Sequence, residues 1–464
     1  MNPLEHQAQL PDLFLTRRQW LARFGMGMGA VGLASMLDDE ARAADLNPLA
    51  PKNPHFPAKA KRVIHIFAQG APSHVDTWDP KPALTKNDGK EIPGAGGVAF
   101  GSPFKFSKQG RSGIEFSEVF PSLAKHADSM AVIRSLHTDI PAHDVATVFM
   151  NTGSLRLAKP SLGSWVLYGL GTENQNMPGF ISLRPGGGAP GGAQNYQSAF
   201  LPGIFQGSSI NTQAQSVEQM IENIRNNYLS QKEQRRQLDL VHQLNAIHSQ
   251  NLQKDAQLEA RIEAFEMAYK MQTAATDAFD IAREPENVRS LYGSSTQGKQ
   301  LLIARRLVER GVRFVQVWAS GWDHHQDLAD RLRAKATEID GPAAALLTDL
   351  KQRGMLDNTL VIWGGEFGRK PTRDKNGNDD PGRDHNNRAF SHWLAGGGAK
   401  GGVTYGATDE FGAMAVQDKV HVHDYHATLL ALMGFDHEKL TYRYNGRDFR
   451  LTDNFGHVVK GIIA

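Results

Sequence analysis

The chain lacks cysteine, an excess of either charge and any long apolar run, and each absence excludes something. With Cys 0 there is no disulfide, no thiolate metal site, no cysteine nucleophile and no lipidated N-terminal cysteine. Lys+Arg 51 against Asp+Glu 49 leaves a formal +2 over 464 residues, far from the concentrated basic surface that a nucleic-acid partner requires. The apolar stretch Phe24–Leu37 is shorter than the ~20 residues of a membrane span, and no other segment reaches that length. At 40% hydrophobic and 22% charged residues the composition is globular, and the length suits one large α/β domain or two ordinary ones. Histidine is what the chain has in quantity: 18 residues, many beside aspartates.

The N-terminus reads as an export address. Thr16-Arg17-Arg18-Gln19-Trp20-Leu21 precedes the small-residue, mildly apolar stretch, and Ala41-Arg42-Ala43 supplies an A-x-A cleavage site that releases a mature chain near Ala44. Residues 1–43 are therefore expected to be a twin-arginine signal, with the twin-arginine translocase as partner during export. Such signals are read on folded cargo. The mature protein is expected in the periplasm or outside the cell, and not as an integral membrane protein.

Residues 44–61 are rich in Pro and Lys and read as an extended arm, followed by a single domain over 62–464. Val63-Ile64-His65-Ile66-Phe67, Ala131-Val132-Ile133, Val312–Trp318, Leu360-Val361-Ile362-Trp363 and Trp393-Leu394-Ala395 read as buried strands. Helices are expected over Pro121–Asp128, Ala142–Met150, Leu328–Arg353 and Asp424–Met433, and long loops over Lys81–Gly113 and Pro185–Gly207. Residues 213–284 carry apolar positions at helical spacing (Val217, Ile221, Ile224, Tyr228; Leu258, Ile262, Phe265, Tyr269) within a Gln/Glu/Lys/Arg-rich surface, the pattern of a long helical insert. Near-continuous apolar strands alternating with helices predict an α/β fold with a mostly parallel, doubly wound sheet covered on both faces.

In such sheets ligands bind beyond the carboxyl ends of the strands, and the polar clusters fall there. Ser73-His74-Val75-Asp76 with Asp79 follows the first strand, and His137 to Asp144 the second. Asp323-His324-His325 follows Trp318, and Glu366-Phe367-Gly368-Arg369 follows Trp363, with Gly382-Arg383-Asp384-His385 soon after. Taken singly, each Asp–His pair also suits a salt-bridged loop. Gathered at several strand ends, carboxylates and imidazoles suit a divalent metal: zinc, or manganese or calcium if oxygen ligands dominate. Arg369, Lys370 and Arg383 are placed to hold a tetrahedral anion.

The run from Thr359 to Gly402, with TLVIWGGEFGRKP and GRDHNNRAFSHWLAGGGAKGG, resembles the exported domain of unknown function 1501 family, itself similar to the alkaline phosphatase and sulfatase superfamily. Gly70 to Pro82, Gly321 to His325 and Asp424 to Leu430 add to the likeness. The resemblance implies an alkaline-phosphatase-like α/β sheet with one or two divalent metals at the strand ends, acting on phosphate or sulfate esters. Asp323, His325 and His385 match one metal site of that superfamily. Its second site keeps only Glu366, helped by Asp76 or Asp384, and its first-strand Asp falls at Gln69. Its hydroxyl or thiol nucleophile falls near His143, which leaves His143 as a ligand, a general base, a phosphoryl acceptor or a residue with no catalytic part. Arg369 and Arg383 are expected to stabilise the developing charge. The expected activity is hydrolysis of a sulfate or phosphate ester of a small molecule or polysaccharide. The alternative is a catalytically degenerate member acting as a binding or structural protein, with the helical insert as its docking surface.

Overall fold

The computed structural model describes residues 47–92, 96–214, 216–221, 228–251, 262, 265–266, 269–270, 277–374 and 381–464. The expected signal sequence at 1–43 and part of the expected insert at 213–284 lie outside the described residues. Among the described residues, no helix is long and apolar enough to cross a membrane.

Nine strands form the central sheet of the described residues. They are β1 (Arg62–Phe67), β2 (Met130–His137), β3 (Phe180–Arg184), β4 (Ser208–Asn211), β5 (Phe314–Trp318), β6 (Thr359–Gly364), β7 (Phe390–Ala395), β8 (Val403–Tyr405) and β9 (Val420–His421). Their order is β8-β2-β7-β6-β1-β5-β3-β4, with β9 also on β2. β1 pairs in parallel with β6 and β5, placing Phe67, Trp318 and Gly364 side by side at the carboxyl edge. β7 runs antiparallel to both β6 and β2, so the sheet is mostly rather than wholly parallel.

Side-chain alternation splits the core into two layers. Ile64 and Ile66 of β1, Val315 and Val317 of β5, and Val361 and Trp363 of β6 face one side. There they meet α4 (Thr296–Glu309) and α5 (Leu328–Gln352) through Leu301, Leu307, Leu332 and Leu346. Val63 and Phe67, Phe314 and Trp318, and Leu360 and Ile362 face the other side. Here α1 (His143–Thr152), α2 (Leu162–Leu170) and α6 (Val422–Leu432) supply Phe149, Trp165, Leu429 and Leu430. Both faces of each central strand are thus apolar, which is why these strands read as continuous runs in the sequence.

Three sequence expectations change in detail. Residues 121–128 give a 3-10 helix at Leu123–Ser129 in place of an α-helix. The loops over 81–113 contain a short helix at Pro82–Lys86 and two small antiparallel hairpins. Within the insert, the described residues include α3 (Gln231–Asn251) and a single helical turn at Val217–Met220. Residues 47–61 carry no regular element and lie against the helix ends, Lys52 N–H donating to Leu170 O and Lys59 N–H to Leu432 O, both at 2.9 Å.

Candidate metal centre

The carboxyl edge of β1, β5 and β6 converts apolar strands into a polar floor. After Phe67 the chain turns at Gly70, whose φ is +108°. A Cβ there would lie 2.7 Å from the backbone N of Asp323 and 2.8 Å from that of Trp322, so only glycine lets the two strand ends come this close. The Gly70 N–H donates to Glu366 Oε1 at 3.0 Å. Across the floor, α1 begins directly after Pro141, with Ala142 as an extended N-cap, and this sets His143 at its first turn. The helix ends at Gly153, in the left-handed region at φ +63°.

Four side chains converge there. From Asp323 Oδ1, His325 Nε2 lies at 3.0 Å, His143 Nε2 at 3.3 Å and His385 Nε2 at 3.4 Å. The Nε2 atoms of His325 and His385 are 3.1 Å apart. In each ring the other nitrogen is already engaged. His385 Nδ1–H donates to Pro141 O at 2.8 Å, His143 Nδ1–H to Glu366 Oε1 at 2.5 Å, and His325 Nδ1–H to Asp374. In the neutral ring, tying off Nδ1 in this way leaves the lone pair on Nε2, the arrangement of metal-binding imidazoles and their supporting partners.

The spacing suits an ion. Ligand atoms ~2.0–2.1 Å from a tetrahedral zinc are about 3.3 Å from one another, and the four distances fall around that value. His143 Nε2 is buried and faces Asp323 Oδ1 at 3.3 Å, close enough for both to share one cation. Sorted by proximity, the described residues give two groups able to hold a cation: His143, Asp323 and His385, and His325, Asp374 and Asp384. We place His325 with the first, because its Nε2 is within 3.1 Å of both Asp323 and His385 while its Nδ1 is committed to Asp374. The centre is dry beneath and wet above: Glu366 is fully buried, whereas the Asp323 side chain is 44% exposed.

Electrostatics follow from this crowding. Burial lowers the pKa of His143, but the carboxylates of Asp323 and Glu366 outweigh it and push the ring up to about 9. Burial raises that of Asp323, but hydrogen bonds from His143 and His385 and the charge of Arg369 hold it far below the usual carboxylate range.

The structure separates the remaining sequence candidates. Asp76 and Arg383 are fully buried against each other, at 2.6 and 3.0 Å, with Ser73 Oγ donating to Asp76 at 2.5 Å. Asp76 is therefore outside the ligand cluster and Arg383 is not turned toward an anion. Arg369 is also buried. It donates to Ala71 O at 2.9 Å, Gly70 O at 2.5 Å and Arg383 O at 3.1 Å, and it contacts Asp323. Its guanidinium locks the strand ends together. Asp384 is held by Lys370 at 2.6 Å and accepts the His385 N–H at 2.8 Å. Glu366 lies behind His143 as its supporting carboxylate. His74 Nε2–H donates to Gly412 O instead, and His137 packs on His421 with ring centroids 5.1 Å apart. Asp374 and the Pro141 carbonyl were missed in the sequence: Asp374 belongs to no strand-end cluster, and a backbone carbonyl inside the His137–Asp144 cluster leaves no mark in residue type, so only the folded chain brings them to an imidazole.

The family profile described as "Protein of unknown function (DUF1501)" matches residues 60–463. No curated protein matches the chain. Among solved structures it is similar to the PsFucS1 sulfatase from Pseudoalteromonas sp., at 13% identity over 87% of this chain and 73% of that one, with a TM-score of 0.38. It is similar to the alkaline phosphatase from the Antarctic bacterium TAB5, at 13% identity over 76% and 95% of the two chains and a TM-score of 0.31. For the lipoteichoic acid synthase LtaP from Listeria monocytogenes the values are 11%, 89%, 80% and 0.33. Likeness at this level says nothing of chemistry, which has to be read from the side chains at the sheet edge.

Proposed function

The chain belongs to the DUF1501 family of proteins of unknown function, and from that premise we propose that it is an exported, metal-dependent hydrolase of sulfate or phosphate esters. The observation that carries this reading is the convergence of three imidazole Nε2 atoms on Asp323 Oδ1, each ring fixed through its other nitrogen. His143, His325, His385 and Asp323 would hold the ion. Glu366, Asp374 and the Pro141 carbonyl fix the tautomer and angle of the rings. A donor set of three nitrogens and one carboxylate oxygen suits zinc better than calcium, which takes six or more oxygens. When bound, zinc would supply a Lewis acid able to polarise an ester oxygen by expanding from four to five ligands.

The protein's own part is placement. The half-exposed Asp323 edge admits an ester from solvent, while the buried Glu366 side keeps His143 from turning away. Arg17-Arg18 and the A-x-A site at 41–43 support export, and with it a substrate met outside the cytoplasm.

The test is metal content and turnover of the exported wild type beside Asp323→Ala and His385→Ala. One zinc per chain and measurable hydrolysis are expected in the wild type, and neither in the variants, with circular dichroism unchanged. One observation favours a second reading, a degenerate member that binds without turnover: Arg369 already places a cation on Asp323, and its Nη1 lies 3.3 Å from His325 Nε2. A folded, metal-free wild type would select that reading.

A further inference from the structure

Among the described residues, the three cationic side chains next to the centre, Arg369, Arg383 and Lys370, are each matched to a carboxylate. Arg369 lies on Asp323, with its other N–H groups on backbone carbonyls and Nη1 also 3.3 Å from His325 Nε2. Arg383 is bidentate to Asp76, both side chains being fully buried. Lys370 is 2.6 Å from Asp384. Glu366 is buried and accepts from a neutral partner, the Gly70 N–H, and from His143. Exposed Asp144, in the first turn of α1, adds negative charge at the rim. A divalent ion opposed by Glu366, and by Asp374 behind His325, therefore presents at most about one net positive charge to whatever binds above Asp323.

This pairing bears on substrate class, and it rests on the hydrolase reading above. We infer that the ester is singly charged, as a sulfate monoester or a phosphate diester is, and that a doubly charged phosphate monoester is disfavoured. A monoanion neutralises the centre. The second charge of a dianion meets no unmatched cation among the described residues in contact with the centre, and its desolvation cost, rising with the square of the charge, is about four times that of a monoanion.

The experiment compares two inert ligands on one scaffold, methyl phenylphosphonate (one charge) and phenylphosphonate (two charges in alkaline buffer). Both are titrated calorimetrically into the zinc-loaded full chain, with zinc confirmed by elemental analysis. The monoanion is expected to bind about tenfold more tightly. Asp384→Asn keeps an oxygen for the His385 N–H but releases Lys370, and should tighten dianion binding about fivefold while moving the monoanion less than about twofold. Equal or tighter dianion binding by the wild type overturns the inference and leaves the hydrolase reading standing. An unchanged ratio in Asp384→Asn also overturns it, because the matched cations then do not set the preference. A zinc-loaded protein that binds neither phosphonate overturns the hydrolase reading itself. Sulfate monoesters and phosphate diesters are then separated by turnover of matched nitrophenyl esters.

Discussion

Two sets of three histidines show how differently one fold treats the same side chain. His143, His325 and His385 sit at the carboxyl edge of the sheet, where each ring has a fixed partner on Nδ1 and a carboxylate oxygen near Nε2. His65, His392 and His426 lie under the sheet with no carboxylate. His392 and His426 each donate one N–H to a backbone carbonyl at 2.8 Å, Gly365 and Met150, and His65 has no partner on either nitrogen. Burial pushes His65 and His426 down to about 3 and His392 to about 4, while His143 is raised to about 9. The imidazole is the same in both sets. A ring is placed to serve as a ligand where a carboxylate faces its second nitrogen, and stays a core residue where none does.

The comparison breaks most sharply at the centre. Asp323→Ala or His385→Ala should reduce zinc from one per chain to near zero and lower turnover by at least about a hundredfold. Elemental mass spectrometry and an ester assay on the same sample check this. Asp76→Asn should destabilise the fold by about 3–5 kcal/mol, because it leaves Arg383 buried without its charge partner, yet zinc should stay. Loss of zinc from folded Asp76→Asn would put Asp76 back among the ligands. Glu366→Gln should weaken zinc binding by about 10–100-fold with little change in melting temperature, as removal of a supporting carboxylate does. Chelator competition reads it out.

The smallest effect belongs to the buried set. The three rings titrate near 6.5 when unfolded and far lower when folded, so between these values the unfolded chain binds more protons. Stability is then complete above about pH 6.5 and falls as the pH drops toward 4. His65→Leu should flatten that slope and add about 1–2 kcal/mol near pH 5, since it removes a buried ring with no partners. Denaturant melts across pH test it. A slope unchanged in His65→Leu would mean that another group causes the acid sensitivity.

Much of the fold was legible because β1, β5 and β6 are covered on both faces and so appear as near-continuous apolar runs, broken only by His65 and Gln316, that end in polar residues. The direction of β7 was not, since Phe390–Ala395 reads equally apolar either way along the sheet. The strands β3 and β4 and the helices α2 and α4 were not read either. β3 and α2 are short, and Gln297, Gln300, Arg305 and Arg306 place polar groups among the buried positions of α4. At the centre, residue types at strand ends were visible, but partnership was not. Asp76 and Arg383 stand 307 residues apart, and nothing local marks them as a pair rather than as a ligand and an anion clamp. Glu366 looked like a ligand by residue type, and its placement behind His143 emerges only when Gly70 brings the strand ends together.

The strand-end cluster also joins pieces of chain that are remote along the sequence. His143 reaches Glu366 across 223 residues, and His385 reaches Asp323 across 62. Closing such loops costs entropy that grows only slowly with their length, but the donor atoms do not meet until the sheet is assembled. An ion held there would act as a late fastening. It would recognise the finished chain and not its fragments, and would stabilise it in proportion to the logarithm of free metal. For a protein expected to be exported already folded, metal uptake would then report that folding is complete.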